Sequence, residues 1–564
     1  MSQPGAVGGA RSGPSVEGAA RGHGRSNLVL ASLLVTTVSA TLAIVDPRLR
    51  HWFMLPVTAC GALIAVDAVG WLRRQLDIFD PHAILSLLGL HFFYLAPVLH
   101  VMLDRWPEGI PAPPEWRQAL AVMACVNVAG LTIYRLIVAA APRSPEAPGQ
   151  RSSRLVPRSF YEVGLLAVAV SVSAFGLLTA RFGGVGGYAR TVTGDVHRAE
   201  LAGWGWLILL AEAFPMIAFV LVVVRWRSTL AGRRSAVLLV LAGLAVVQFL
   251  VAGLRGSRSN TLWPVLICLV LVHLLVLRIS RKLLLVVAVL VGAYVYVYGL
   301  YKSAGLEVLD AARGTGSVAA IESRTGRDVP TLLLGDMARA DVQALVLDRQ
   351  LNGGAKPAYG ITYLGDMSFL VPRSLLPERP PDKVAVGTDV TYGPGAHQMG
   401  WRSSKIYGLT GEAVMNFGPL GGVASFGVLG VIVRLVRGYY LRALRNEALV
   451  PKLVAPLLWP YAFLPNNDLD NVLWFQLKYI APVALVIWLS VRVGRGWAPH
   501  RAGRRNALGP GHGGRAGPPP DGPDDPHPAA PGRAPGTTTA AGRPPVSTHF
   551  VRTPPRAAVR RRPG

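Results

Sequence analysis

Twelve apolar runs, parted by polar stretches, make up most of the chain between residues 27 and 491. They lie at Asn27 to Val45 and at roughly 52–72, 82–103, 118–141, 160–180, 203–224, 235–254, 260–277, 283–301, 408–433, 450–464 and 471–491. A helix needs about 20 apolar residues to cross the hydrocarbon of a bilayer, and only helices or closed barrels satisfy their backbone polar groups there. The pattern therefore predicts an all-α polytopic membrane protein of about 12 transmembrane helices. The count runs from 11 to 13, because the run at 450–464 is short and holds Pro451, Pro456 and Pro460, which fits a kinked or a re-entrant segment. The first run is longer than a signal-peptide core and reads as an uncleaved helix.

One polar interval stands apart from the rest. Residues 302–404 form the longest excursion between apolar runs and carry charges of both signs. Within it, 331–354 predicts an amphipathic helix lying along the membrane surface, with Met337, Ala340, Ala344, Leu347 and Leu351 in one stripe, Asp341 and Asp348 beside it, and Arg339 pointing away. Residues 359–383 are dense in proline and predict extended turns. Residues 1–26 and 494–564 lack apolar periodicity and are rich in Gly, Pro, Arg and Ala, so both predict disordered tails flanking a bundle at 27–493.

Composition agrees with the apolar pattern. Half of the residues are hydrophobic, 16% are charged, and the mean hydropathy is +0.39. A net charge of +26 would point to nucleic acid in a soluble chain. Here the arginines fall in short loops and tails, where they fix topology and meet anionic lipid, so no nucleic-acid partner is expected. The 3 cysteines lie inside apolar runs without a CxxC pair, which gives no metal site and no disulfide framework. No cofactor is expected.

Charge also sets orientation. With the N-terminus inside, the inward loops hold more than twice the lysines and arginines of the short outward ones. Cytoplasmic N- and C-termini in a plasma membrane follow, with 302–404 facing outward, away from nucleotide-activated substrates.

Several side chains are candidates for chemistry. Arg255 and Arg258, in GLRGSRSN at 253–260, lie at the outer end of one span and the start of the next. Guanidinium forks there suit a phosphate or pyrophosphate, although arginines also snorkel to headgroups. Arg190, in the glycine-rich stretch 181–203 with Asp195, His197 and Arg198, suits a sugar or phosphate, or plain solvent. Arg373, Arg379 and Lys383 are candidate anion contacts, and His397 and Arg402 follow in a glycine-rich turn. Glu412 and Asn416 share a helix face just inside the last long apolar boundary. An ionisable group in a span is costly and marks function, unless Glu412 serves only the positive end of its own helix.

GSRSNTLWPVLICLVL, then YGITYLG with VPRSLLPERPPDK, and then GLTGEAVMNFGPLGG, in this order around a long outer loop, resemble the O-antigen polymerase or oligosaccharide repeat-unit polymerase (Wzy-like) family. The matching elements are Gly256 to Arg258, Pro372 to Pro380 and Gly411 to Gly418, with Arg379 where the family often has lysine. The resemblance implies a metal-independent glycosyltransferase that joins polyprenyl-pyrophosphate-linked oligosaccharide repeats on the outer face, alongside other polysaccharide-assembly proteins. It implies that Arg255 and Arg258 bind the pyrophosphate, that Arg339 and Arg373 hold the donor, and that Glu412, Asp341 or His397 takes the acceptor proton. Two other readings stay open: a ligase of the same superfamily, and a flippase or transporter of the lipid-linked unit.

Overall fold

In a computed structural model of the chain, residues 16–107, 109–140, 153–193, 204–255, 257–305, 307–371, 374–403 and 405–493 are described. The expectations for residues 1–15 and for the tail from 494 lie outside them. The protein is an all-α polytopic membrane protein. Among the described residues, ten helices are long and apolar enough to cross a bilayer by length and composition. Ser259–Leu275, at 17 residues, falls just short of that standard. The eleventh apolar run is a short helix, Leu449–Leu458, continued by a 3-10 segment, Trp459–Asn466, in which Pro460 and Pro465 remove backbone donors.

The first helix starts earlier than the apolar pattern predicts, at Val16 rather than Asn27. Its polar entrance is fastened at Ser26 and Asn27, which accept from Arg73 Nη1 at 3.0 and 2.8 Å.

The bundle has two chemically distinct ends. At one end, Arg135 Nη1 donates to Asp67 at 2.5 Å, Arg437 Nε to Asp80 at 3.0 Å, and Tyr440 to Asp77 at 2.5 Å. His273, near the C-terminus of Ser259–Leu275, also meets Asp77. At the opposite end lie Arg258, which begins the same helix, and the polar interval 302–404.

That interval is mostly helical and enters the bundle. Ala340–Leu351 is a helix whose first eight residues, Ala340 to Leu347, are all buried. It packs against Trp116–Ala139 and Gly408–Arg445 and shares their hydrophobic core with the first three spans. Its position inside the bundle overturns the expected surface placement. The stripe reading overlooked Val342, Leu345 and Val346, which lie off the stripe and are buried with it. Burying each of these three side chains contributes roughly 1.5–3 kcal/mol. Two glutamines lock the helix in register: Gln343 Nε2 donates to Tyr407 O at 3.0 Å, and Gln350 Nε2 to Val414 O at 2.9 Å.

The helix Gly408–Arg445 is broken at Gly418, which has φ +71° and ψ −164°. Glycine adopts that conformation without a Cβ clash, and Pro419 then starts the second segment with its fixed φ. Gly408 opens the first segment at φ +71°, where a Cβ would stand 2.3 Å from Pro465 O. The stretch 359–383 holds a short helix, Ile361–Ser368, and becomes helical again at Lys383–Tyr392 once Asp382 caps it by accepting from Ala385 N–H at 2.9 Å.

Ser153–Leu155, before the fifth span, pairs antiparallel with Val491–Val493 after the last, in the register Ser153↔Val493, Arg154↔Arg492 and Leu155↔Val491.

Candidate functional site

Two cavities open at the end of the bundle that carries residues 302–404. They adjoin at Ser257, Ser259 and Ile406, which line both. The larger, about 330 Å³, is walled by Arg258, Lys302, Arg327, Arg339 and Lys405, with the carboxylates Asp336 and Asp341 among them. Cations outnumber carboxylates around this space, and two of them, Arg258 and Arg327, share Asp336. The smaller, about 280 Å³, is walled by Arg255 and Lys478, three asparagines, and the aromatic rings of Trp263, Tyr461, Trp474 and Phe475.

The turn 253–259 deals one arginine to each cavity. Arg258 Nη1 donates to Asp336 Oδ2 at 2.9 Å, and Nη2 to the Asp336 carbonyl at 3.3 Å; Arg327 Nη1 reaches the same carboxylate at 3.1 Å. Burial raises the Asp336 carboxyl's affinity for protons, but Arg258 and then Arg327 outweigh it and hold the group below its ordinary range. Arg255 instead pairs with the buried Glu212, which also takes Lys478 Nζ at 3.0 Å. Arg255 and Arg258 thus do not converge on one anion, as their proximity in sequence led us to expect. Three residues in this turn are enough to point them apart.

Arg339 does not point away. Its side chain is buried, Nη1 donates to the carbonyls of Gly335 at 2.5 Å and Asp336 at 3.2 Å, and Nε has no partner in the protein. Asp341, in the first turn of the inserted helix, is 1% exposed. Its Oδ2 has no hydrogen-bond partner although it lines the cavity. Burial pushes its pKa up, while His100, Arg339 and Lys405 pull it down by smaller amounts. His100 belongs to the preceding layer: its Nδ1 meets Arg105 O at 2.9 Å, and its buried Nε2 is unpartnered.

Glu412 lies elsewhere and lines neither cavity. Its Oε2 accepts from Leu469 N–H at 2.8 Å, so it serves the start of a neighbouring helix rather than its own. Asp366, Asp468, Asp470 and Lys383 surround it. Lys383 pairs with Asp468 and, at 2.7 Å, with Asp470. The lysine expected to contact an anionic ligand is therefore buried and neutralised from within. Burial opposes its charge, but Asp468 and Asp470 more than offset this and raise its pKa. Asp468 also accepts from Gly408 N–H at 2.6 Å, which fixes the entrance of the broken helix. Asp366 and Glu412 meet carboxyl to carboxyl within hydrogen-bonding reach, a contact that needs a proton on one of them.

Asn416 spends its side chain internally. Nδ2 donates to Thr362 Oγ1 at 2.6 Å and to Glu412 O at 2.9 Å, while Oδ1 accepts from Gly360 N–H at 3.0 Å. It clamps the 359–362 turn and faces neither cavity. His397 takes its place in a turn where its backbone N–H donates to Asp389 at 2.8 Å. Arg190 stands exposed on the helix Gly184–Thr193. Neither His397 nor Arg190 lines a cavity. Arg379 Nη2 donates to Val371 O at 2.6 Å. Arg373, Asp195, His197 and Arg198 lie outside the described residues.

Sequence reasoning missed His100, Lys302, Arg327, Asp336 and Lys405 as members of the site. None has a local signature, since each is brought in from a different element. Among the described residues no group of three or more His, Cys, Asp or Glu side chains is placed to hold a metal ion. Comparison with known protein families, with curated proteins and with solved structures finds no match for this chain.

Proposed function

We propose that the protein is a membrane glycosyltransferase that polymerises polyprenyl-pyrophosphate-linked oligosaccharide units on the outer face of the plasma membrane. The observation that carries this reading is the larger cavity, where Arg258, Arg327, Arg339 and Lys405 gather around Asp336 and Asp341, the latter a buried carboxyl with an unpartnered oxygen. Guanidinium and ammonium groups fixed around a pyrophosphate stabilise the charge that develops as it leaves. A carboxylate within the same space takes the proton of the attacking sugar hydroxyl. In this arrangement Arg258 and Arg327 hold the leaving group, Arg339 and Lys405 complete its pocket, and Asp341 is the base. Glu412 then acts from the neighbouring cluster, holding the helix entrance beside the site.

The accompanying topology has twelve crossings, cytoplasmic termini and residues 302–404 outside, as the loop charges favour. The test is product analysis in cells lacking the protein. Single repeat units left on the carrier support a polymerase; full-length polymer left on the carrier indicates a ligase instead.

A second reading, passage of the lipid-linked unit across the bilayer, is favoured by the break at Gly418, because discontinuous helices line the paths of many transporters. Reconstitution decides between them: transbilayer movement of a labelled lipid-linked oligosaccharide without chain growth supports transport.

A further inference from the structure

The smaller cavity is built for a different ligand from the larger. Its two cations, Arg255 and Lys478, share the single buried carboxylate of Glu212. One positive charge is left over, where several cations gather in the larger cavity. Arg255 Nε is buried without a hydrogen-bond partner, and Lys478 Nζ reaches Asn260 Oδ1 at 3.4 Å. A pyrophosphate carries more charge than this pair balances, whereas a single carboxylate matches it.

The walls narrow the chemistry further. Trp263, Trp474 and Phe475 offer flat apolar faces, and Asn260, Asn467 and Asn471 place amides, which both donate and accept, between them. A polyprenyl chain has no use for amides, while a sugar ring uses both kinds of wall. Trp474 is backed from the other side by Phe369, stacked at 4.6 Å between centroids and 6° between planes, so the 361–371 segment holds one wall in place.

We propose that this cavity is a saccharide subsite selective for a sugar bearing a carboxylate, a uronic acid being the simplest. The inference rests on the glycosyl-transfer reading and adds the class of sugar: an acidic residue of the repeat unit lies on the aromatic walls with its carboxylate between Arg255 and Lys478, while the pyrophosphate of the same reaction occupies the adjoining cavity.

The experiment uses the full chain in lipid nanodiscs, with three probes titrated separately: a glucuronate-terminated disaccharide, its glucose-terminated counterpart, and inorganic pyrophosphate. The acidic sugar is expected to bind about tenfold tighter than the neutral one, as a hydrogen bond to a charged group supplies. Lys478→Gln should erase that preference and leave pyrophosphate binding in the adjoining cavity unchanged, which a misfolded protein would not do. Trp474→Leu is the second variant: it should weaken both sugars alike and spare pyrophosphate. Equal affinity for the two sugars, a preference that survives Lys478→Gln, or displacement of the acidic sugar by pyrophosphate would each overturn the proposal. Absence of Arg258-dependent pyrophosphate binding would count against the glycosyl-transfer reading alone, so the two failures are told apart.

Discussion

Arg258 grips Asp336 twice, through the carboxylate at 2.9 Å and the backbone carbonyl at 3.3 Å. These bonds tie the start of Ser259–Leu275 to the π-turn Leu332–Asp336, which leads into the buried helix Ala340–Leu351. One arginine therefore lines the cationic cavity and fixes the element that carries Asp341.

Arg258→Ala is expected to lower polymer yield about 10²–10³-fold, the scale for removing one fixed donor to developing charge. The check is polymer length and yield in cells, with protein abundance measured in parallel. Unchanged polymer at normal abundance would remove Arg258 from the pyrophosphate site.

Asp341→Asn and Glu412→Gln separate the two carboxylates. The first is expected to lose about 10²–10⁴-fold in transfer rate, the range for a general base. The second keeps an acceptor for Leu469 N–H and should retain most activity. The reverse ranking, in a reconstituted assay with lipid-linked substrate, would move the base to Glu412.

Asp366 makes stability depend on pH. Burial first, and then the Asp470 carboxylate, push its pKa up to about 6. Its ordinary value is 3.8, so between these two pH values the folded chain holds a proton that the unfolded chain has already released. Stability contributed by this group is therefore present at the acid end and is lost as pH rises through that window. Thermal unfolding of the detergent-solubilised protein should show the loss, and Asp366→Asn should flatten it.

Lys383→Met leaves Asp468 and Asp470 without their shared cation. Removing one partner of a buried ion pair costs about 3–5 kcal/mol, and Lys383 is 4% exposed. A marked drop in unfolding midpoint is expected, relieved in part by adding Asp470→Asn. An unchanged midpoint would show the cluster to be dispensable for folding.

The crossings were legible because each is a long apolar run, and nothing in a bilayer competes with helix for such a run. The helix at Ala340–Leu351 was legible as a helix but misplaced, because attention to one stripe concealed that Val342, Leu345 and Val346, off the stripe, are buried with it. Lys383 read as a candidate anion contact in a proline-rich stretch. Its partner Asp468 lies 85 residues away, a separation that no local pattern encodes. Asp341 was legible by position, whereas Arg327, Asp336 and Lys405 meet it only through the tertiary fold.

The small ladder between Ser153–Leu155 and Val491–Val493 imposes a rule of parity. Strands that exchange hydrogen bonds lie on the same side of the bilayer, so the chain between them must cross an even number of times. Six of the ten long helices fall in that interval. Were all six to cross, Ser259–Leu275 and the Leu449–Asn466 segment would have to cross together or not at all. Ser259–Leu275 reaches from Arg258, beside Asp336, to His273, beside Asp77 at the opposite end of the bundle.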